Sequence, residues 1–208
     1  MTTVKRPYDS TGRREHAQRN RDAVLGAAQR RFLNDGYAVT TIAAVARDAG
    51  VSAETIYKSF GTKAALVRAI WERGLAGRGP VPAPNRSDKM STDEHDPRVI
   101  IAEWGKLTTE VMPLVAPILL LIRATAATDA DMASLLAETD QQRRDRMRRN
   151  AQRIQRHLRP VVTLRKATDI LWLYSSPDLY DLLVLRGGWP LRRYASHLAE
   201  SMTAALLR

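Results

Sequence analysis

At 208 residues with 44% apolar side chains, the chain can bury a core in one large domain or in a small domain joined to a larger one, which excludes a disordered tail. Its formal charge of +11 favours a polyanionic partner, because clustered Lys and Arg release counterions from phosphates; nucleic acid ranks ahead of an anionic membrane. The absence of cysteine excludes disulfides, thiolate zinc sites and a cysteine nucleophile, and fits a reducing cytosol.

No apolar stretch of signal-sequence type occurs in the first twenty residues, so a cytoplasmic location at the nucleoid is expected. Residues 1–16 carry Lys5, Arg6, Arg13 and Arg14 and read as a basic N-terminal arm, able to follow a DNA backbone or enter a minor groove. Helical periodicity then dominates, and helices are predicted at about 16–34, 41–49, 53–59 and 62–76. Residues 77–97, GRGPVPAPNRSDKMSTDEHDP, are rich in Pro, Gly, Ser and charge, and predict a mobile connection.

Further helices are predicted at about 98–111, 114–126, 130–158, 163–175, 178–186 and 190–207. Their ends carry start and stop signals: Pro97 in a first turn, Asp129 as a cap, Pro160 past an end, and Gly187 with Gly188. Val111 to Ile122 is the longest apolar run, but its twelve residues include Pro113 and Pro117. A membrane-spanning helix needs about twenty, so this run reads as core.

The segment Thr40 to Phe60, TTIAAVARDAGVSAETIYKSF, is the most informative. Ile42, Val45, Ala46 and Ala49 recur at i, i+3, i+4 and i+7, a narrow apolar face on which another helix packs closely. Gly50 supplies a left-handed corner, and Ser52 caps the helix that follows. In that helix Ile56 and Phe60 point inward, leaving Thr55, Tyr57, Lys58 and Ser59 as an outward cationic, hydrogen-bonding face suited to a major groove.

Over residues 17–77 the chain resembles the TetR family of bacterial transcriptional regulators. The matching residues are AVLGAAQRRF, then DGY, TT, VA, AGVS, IY, F and TKAAL, in the family's order and spacing. The resemblance implies DNA contact by Thr40, Thr41, Ser52, Ala53, Glu54, Thr55, Tyr57, Lys58 and Lys63. Tyr57 and Lys63 match positions that contact phosphate, and Lys63 stands beside a helix N-terminus whose N–H groups favour an anion. Ala64 departs from the Glu usual in the family. Residues 1–77 hold 13 basic and 7 acidic side chains, a net +6 that suits this role.

Residues 98–208 are expected to form a larger helical body for ligand binding and dimerisation, so the fold class is all-α: a three-helix DNA-binding domain at 17–77, a linker at 78–97 and this body. Family resemblance implies a homodimer joined through C-terminal helices, and Leu191, Tyr194, Ala195, Leu198 and Met202 follow a 3-4 spacing suited to the seam. It also implies a pocket for a small, largely apolar ligand. Trp104, Leu107, Met112, Ile118, Ile122 and Trp172 are candidate walls, with Arg123 or Asp169 as orienting groups. The basic run in 143–166 reads as a solvated face, since Met132, Leu135, Leu136, Met147, Ile154 and Leu158 leave one apolar stripe for packing.

The four histidines show no metal-ligand spacing, and no nucleophile motif is present, so neither enzyme activity nor a cofactor is expected. The chain is expected to be a sequence-specific transcriptional regulator, a repressor released from a palindromic operator by its ligand. The alternative is a sequence-tolerant nucleoid-associated protein without an inducer.

Overall fold

The computed structural model describes residues 11–208, among which ten α-helices and no strand occur. The helices are α1 (Thr11–Asn34), α2 (Ile42–Ala49), α3 (Ala53–Phe60), α4 (Lys63–Ala76), α5 (Ala83–Asp93), α6 (Pro97–Ala126), α7 (Ala130–Arg153), α8 (Leu164–Tyr174), α9 (Pro177–Tyr180) and α10 (Leu191–Leu206). A 3₁₀ turn, Gln155–His157, follows α7, and α9 continues as a π-helical segment, Asp181–Arg186. The chain divides into two compact units, the first ending at Val67 and the second running Arg68–Arg208.

In the first unit, α1 buries Val24, Leu25, Ala28 and Phe32, the spacing of one helical face. Helix α2 packs on α1 and buries Ile42, Val45 and Ala46, and α3 packs on α2 and buries Ile56. Arg31 of α1 adds a two-pronged ion pair to Asp48 of α2, with N···O distances of 2.6 and 3.1 Å. That geometry presents a planar guanidinium to a carboxylate along two parallel bonds.

In the second unit, α6 is the central element, packed by α10, α7 and α5. Its buried residues include Ile101, Ala116, Ile118 and Ile122, each wholly or almost wholly shielded from solvent. A Cβ on Gly105 would lie 2.9 Å from the carbonyl oxygen of Ala195, so the small residue sets how closely α6 and α10 approach. By length and hydropathy alone α6 is long and apolar enough to cross a bilayer; here its apolar side chains build the core of the second unit.

Five sequence expectations change. The described part of the supposed arm is helical: α1 begins at Thr11, so Arg13 and Arg14 belong to it, while Lys5 and Arg6 lie outside the described residues. The supposed linker at 78–97 contains α5, whose Ala83, Ser87 and Ser91 are buried. Arg146 and Arg153 of α7 reach Asp88 on α5 at 2.9 and 3.1 Å, a tertiary anchorage that outweighs a loop-like composition. The unit boundary also falls at 67/68, inside α4, rather than at 77.

Residues 98–126 form one helix through Pro113 and Pro117, not two; the apolar burial along α6 outweighs the two backbone hydrogen bonds that the prolines cannot donate. Finally, Tyr194, Ala195, Leu198 and Met202 of α10 are buried within their own chain, and Leu191 is half-buried beside them. The 3-4 stripe assigned to a dimer seam therefore faces α6, not solvent.

Candidate nucleic-acid interface and the cavity of the second unit

The corner between α2 and α3 is set by local chemistry. Thr41 caps α2, its hydroxyl accepting from the Ala44 N–H at 3.1 Å. Gly50 ends it in the left-handed region at φ 68°, its N–H directed to the carbonyls of Ala46 and Arg47. Ser52 caps α3 by accepting from the Thr55 N–H at 3.1 Å, and the two hydroxyl oxygens lie 2.8 Å apart.

Ile56 is buried and fixes the rotation of α3, so Ser52, Glu54, Thr55, Tyr57, Lys58 and Ser59 are exposed on its outer face while Ala53 is half-buried. Tyr57 is 56% exposed, a large aromatic ring with no packing reason to be there. Thr41 is exposed at the start of α2. The half-buried ring of Phe60 lies under the guanidinium of Arg21, 4.7 Å from its centroid, which steadies the end of α3 on α1.

Two expected contact residues are differently placed. Thr40 is buried, and its hydroxyl donates to the Gly36 carbonyl at 2.8 Å. Lys63 turns its ammonium onto the carbonyls of Tyr37, Thr40 and Ala38 at 2.8, 3.3 and 3.4 Å. Those carbonyls lie in the α1–α2 turn and lack helical donors, so the three N–H bonds of the lysine complete them. Arg47, which is not among the expected contact residues, has a side chain 74% exposed on the last turn of α2, 3.8 Å from the Asp48 carboxylate. Its position opposite Ile42 and Val45 on the helix was the signal of that exposure in the sequence.

The second unit contains a cavity of about 400 Å³. Of the expected wall residues, Trp104, Leu107 and Met112 line it, joined by Val111, Val115 and Trp71. The others do not. Ile118 and Ile122 are core residues further along α6; Arg123 pairs with Asp178, and Asp169 pairs with Arg144 at 2.6 Å. Trp172 is flanked by the guanidiniums of Arg143 and Arg144, with its centroid 4.7 and 5.1 Å away.

The solvated-face expectation for the basic run fails for Arg143, Arg146 and Arg153. Arg143 donates to the Trp172 carbonyl at 2.9 Å and the Ser175 hydroxyl at 3.2 Å, and both Arg143 and Arg146 reach the cavity wall. The signal was present in the spacing: Thr139, Arg143, Arg146, Asn150 and Arg153 recur three and four apart, one face of α7. Among the described residues, no group of three or more His, Asp or Glu is placed to hold a metal ion.

Residues 24–70 match the sequence model of the family described as bacterial regulatory proteins, tetR family. The HTH-type transcriptional regulator TtgR of Pseudomonas putida is 44% identical over 57 residues, 27% of this chain and 27% of that protein, so the alignment spans about a quarter of its length. Likeness in fold extends further. The structure of NalD, described as the secondary repressor of the MexAB-OprM multidrug efflux pump in Pseudomonas aeruginosa, superposes with a TM-score of 0.72 at 22% identity, covering 93% of this chain and 98% of that one. A complex of SmeT with triclosan gives 0.70 at 22% identity, covering 91% and 92%.

Proposed function

We propose that this chain, whose residues 24–70 match the sequence model of the tetR family of bacterial regulatory proteins, is a sequence-specific transcriptional regulator of that family, a repressor that leaves a palindromic operator when a small molecule fills its second unit. The observation that supports this most directly is the outer face of α3, where Ser52, Thr55, Tyr57 and Lys58 stand exposed behind the Gly50 corner. A short helix with hydroxyl, phenol and ammonium groups on one side has the size and donors to read base edges and hold phosphates. Thr55 and Ser52 are assigned to base edges; Tyr57, Lys58 and Thr41 are assigned to the backbone. Glu54 and Ala53 complete the contact face, and Lys63 shapes it from behind.

One such face makes a small interface, and selective binding takes two, about 34–36 Å apart on one side of the duplex. A homodimer supplies them. With the α10 stripe buried inside the chain, the seam is assigned to outward leucines, Leu173 of α8 and Leu182 and Leu185 of the π-helical segment after α9, each more than half exposed. Repression is carried over from NalD and an effector from SmeT with triclosan; the 400 Å³ cavity is of a size that takes a small molecule.

The test is selection of duplexes from a randomised pool, followed by anisotropy titration of the selected site against random-sequence DNA at moderate salt. A preference of at least ~10³-fold is expected. A ratio near one would replace the regulator with the sequence-tolerant nucleoid protein.

A further inference from the structure

The cavity has two unlike walls. The α6 side offers Trp104, Leu107, Val111, Met112 and Val115, with Thr108 its one polar residue; the α7 side is mostly polar, with Gln142, Arg143, Arg146, Arg149 and Asn150 beside Asp145, Thr139 and Met147. Arg143 and Arg146 are not solvent-facing, their side chains being only 13% and 18% exposed. Of five N–H donors on a guanidinium, Arg146 directs two, to Asp88 at 2.9 Å and to the Pro84 carbonyl at 2.9 Å. Arg143 directs three, to the Trp172 carbonyl, the Ser175 hydroxyl and Asp140.

Charge on the polar wall is not balanced. Asp88 is shared by Arg146 and Arg153, Asp140 is held by Arg143, and Asp145, which also lines the cavity, is held by Arg148 at 3.0 Å. Arg149 is exposed at the cavity edge with no ion pair among the described residues. On the cavity wall itself three guanidiniums, Arg143, Arg146 and Arg149, stand with the single carboxylate of Asp145. Burial presses Arg143 and Arg146 toward their neutral forms, with Asp140 and Asp88 opposing it incompletely.

On the reading of the second unit as the effector-binding body, we propose that this cavity selects an amphiphilic anion: an apolar body lying along α6 with one carboxylate or similar acid group held by Arg143, Arg146 and Arg149. A neutral apolar guest would cover the guanidiniums without accepting their remaining N–H bonds, which leaves buried donors unpaired. A cationic guest would meet like charge in a medium that screens it poorly. A small inorganic anion would leave the apolar α6 wall unfilled.

Three probes with the same ten-carbon chain separate these cases: decanoate, decan-1-ol and decyltrimethylammonium, each titrated below its micelle concentration into the full chain. The emission of Trp71 and Trp104, both on the cavity wall, reports binding, and calorimetry checks it. Decanoate is expected to bind at least about tenfold tighter than decanol, with no saturable binding of the ammonium. Arg146→Gln and Arg149→Gln are each expected to weaken decanoate several-fold and leave decanol unchanged. Arg149 is exposed, so its variant keeps the fold and retains the test if Arg146→Gln does not.

Equal affinity for decanoate and decanol, tightest binding of the ammonium, or binding of none of the three would overturn the anion assignment. Operator affinity is measured on the same samples. Tight, arginine-dependent decanoate binding that leaves operator affinity unchanged upholds the anion preference and removes the regulatory role of the cavity.

Discussion

The ammonium of Lys63 lies 2.8 Å from the carbonyl oxygen of Tyr37 and 4.2 Å from the centroid of the same residue's ring. One side chain thus ties the start of α4 to the turn before α2, through a charge-assisted hydrogen bond and a cation–π contact. Lys63→Ala is expected to destabilise the chain by about 1.5–3 kcal/mol, the range for hydrogen bonds to charged groups. Urea unfolding measures this. The slope of log affinity for DNA against log salt should stay at its parent value; a fall near one would show that the lysine swings to a phosphate on binding.

Lys58 is exposed on the outer face of α3. Its removal should weaken binding to every duplex and reduce the salt slope by about 0.9, the value for one phosphate contact. Thr55→Ala should instead change which selected duplex binds best, read from competition between single-base variants of the site.

Ser52 serves both as the cap of α3 and as part of its outer face. Ser52→Ala removes the cap and is expected to cost about 1 kcal/mol, whereas Ser52→Gly should cost only a few tenths. Equal losses in thermal melts would mean that the capping bond contributes nothing to stability.

Gly105 faces the backbone of α10, where an added Cβ would stand 2.9 Å from the Ala195 carbonyl oxygen. Gly105→Ala therefore overpacks a helix crossing and should destabilise by about 1–3 kcal/mol despite the better helix propensity of alanine. A stabilised variant in calorimetry would refute the close approach.

Stability should fall at both ends of the pH scale. Hydrogen bonds from Arg31 hold Asp48 below the usual carboxylate range; Arg68 does the same for Glu138, and Arg86 for Glu110. A depressed folded-state value means that the stabilisation is present at neutral pH and is lost as pH drops below about 4. Burial pushes the Tyr194 phenol up, so its contribution holds until the unfolded phenol ionises near pH ~10 and is lost above it. Melting temperatures across pH 2.5–11 (roughly the span between these groups) check both limbs: Asp48→Asn should flatten the acid limb, and Tyr194→Phe the alkaline one. Since the Tyr194 hydroxyl is buried without a hydrogen-bond partner among the described residues, Tyr194→Phe should also be neutral or stabilising at pH 7.

The α2–α3 corner was fully legible in the sequence because everything that makes it is local. Thr41, Gly50 and Ser52 cap and turn helices within a dozen residues, and the spacing of Ile42, Val45, Ala46 and Ile56 settles which sides are buried. Caps and left-handed corners depend on the backbone beside them, not on partners far along the chain. The outward position of Thr55, Tyr57 and Lys58 follows from the same spacing.

Elsewhere the deciding partners are distant. An apolar stripe on α10 shows that the helix has something to cover, but only the packed chain shows that Gly105 on α6, ninety residues away from Ala195, receives it. Arg146 and Arg153 look like solvated charges until Asp88 on α5 is brought beside them, and α5 itself is held in a segment of loop-like composition by those same bonds. Local periodicity determines that a helix has an inside and an outside; which neighbour supplies the inside, and whether a long cation finds its carboxylate there, is decided only when the helices meet.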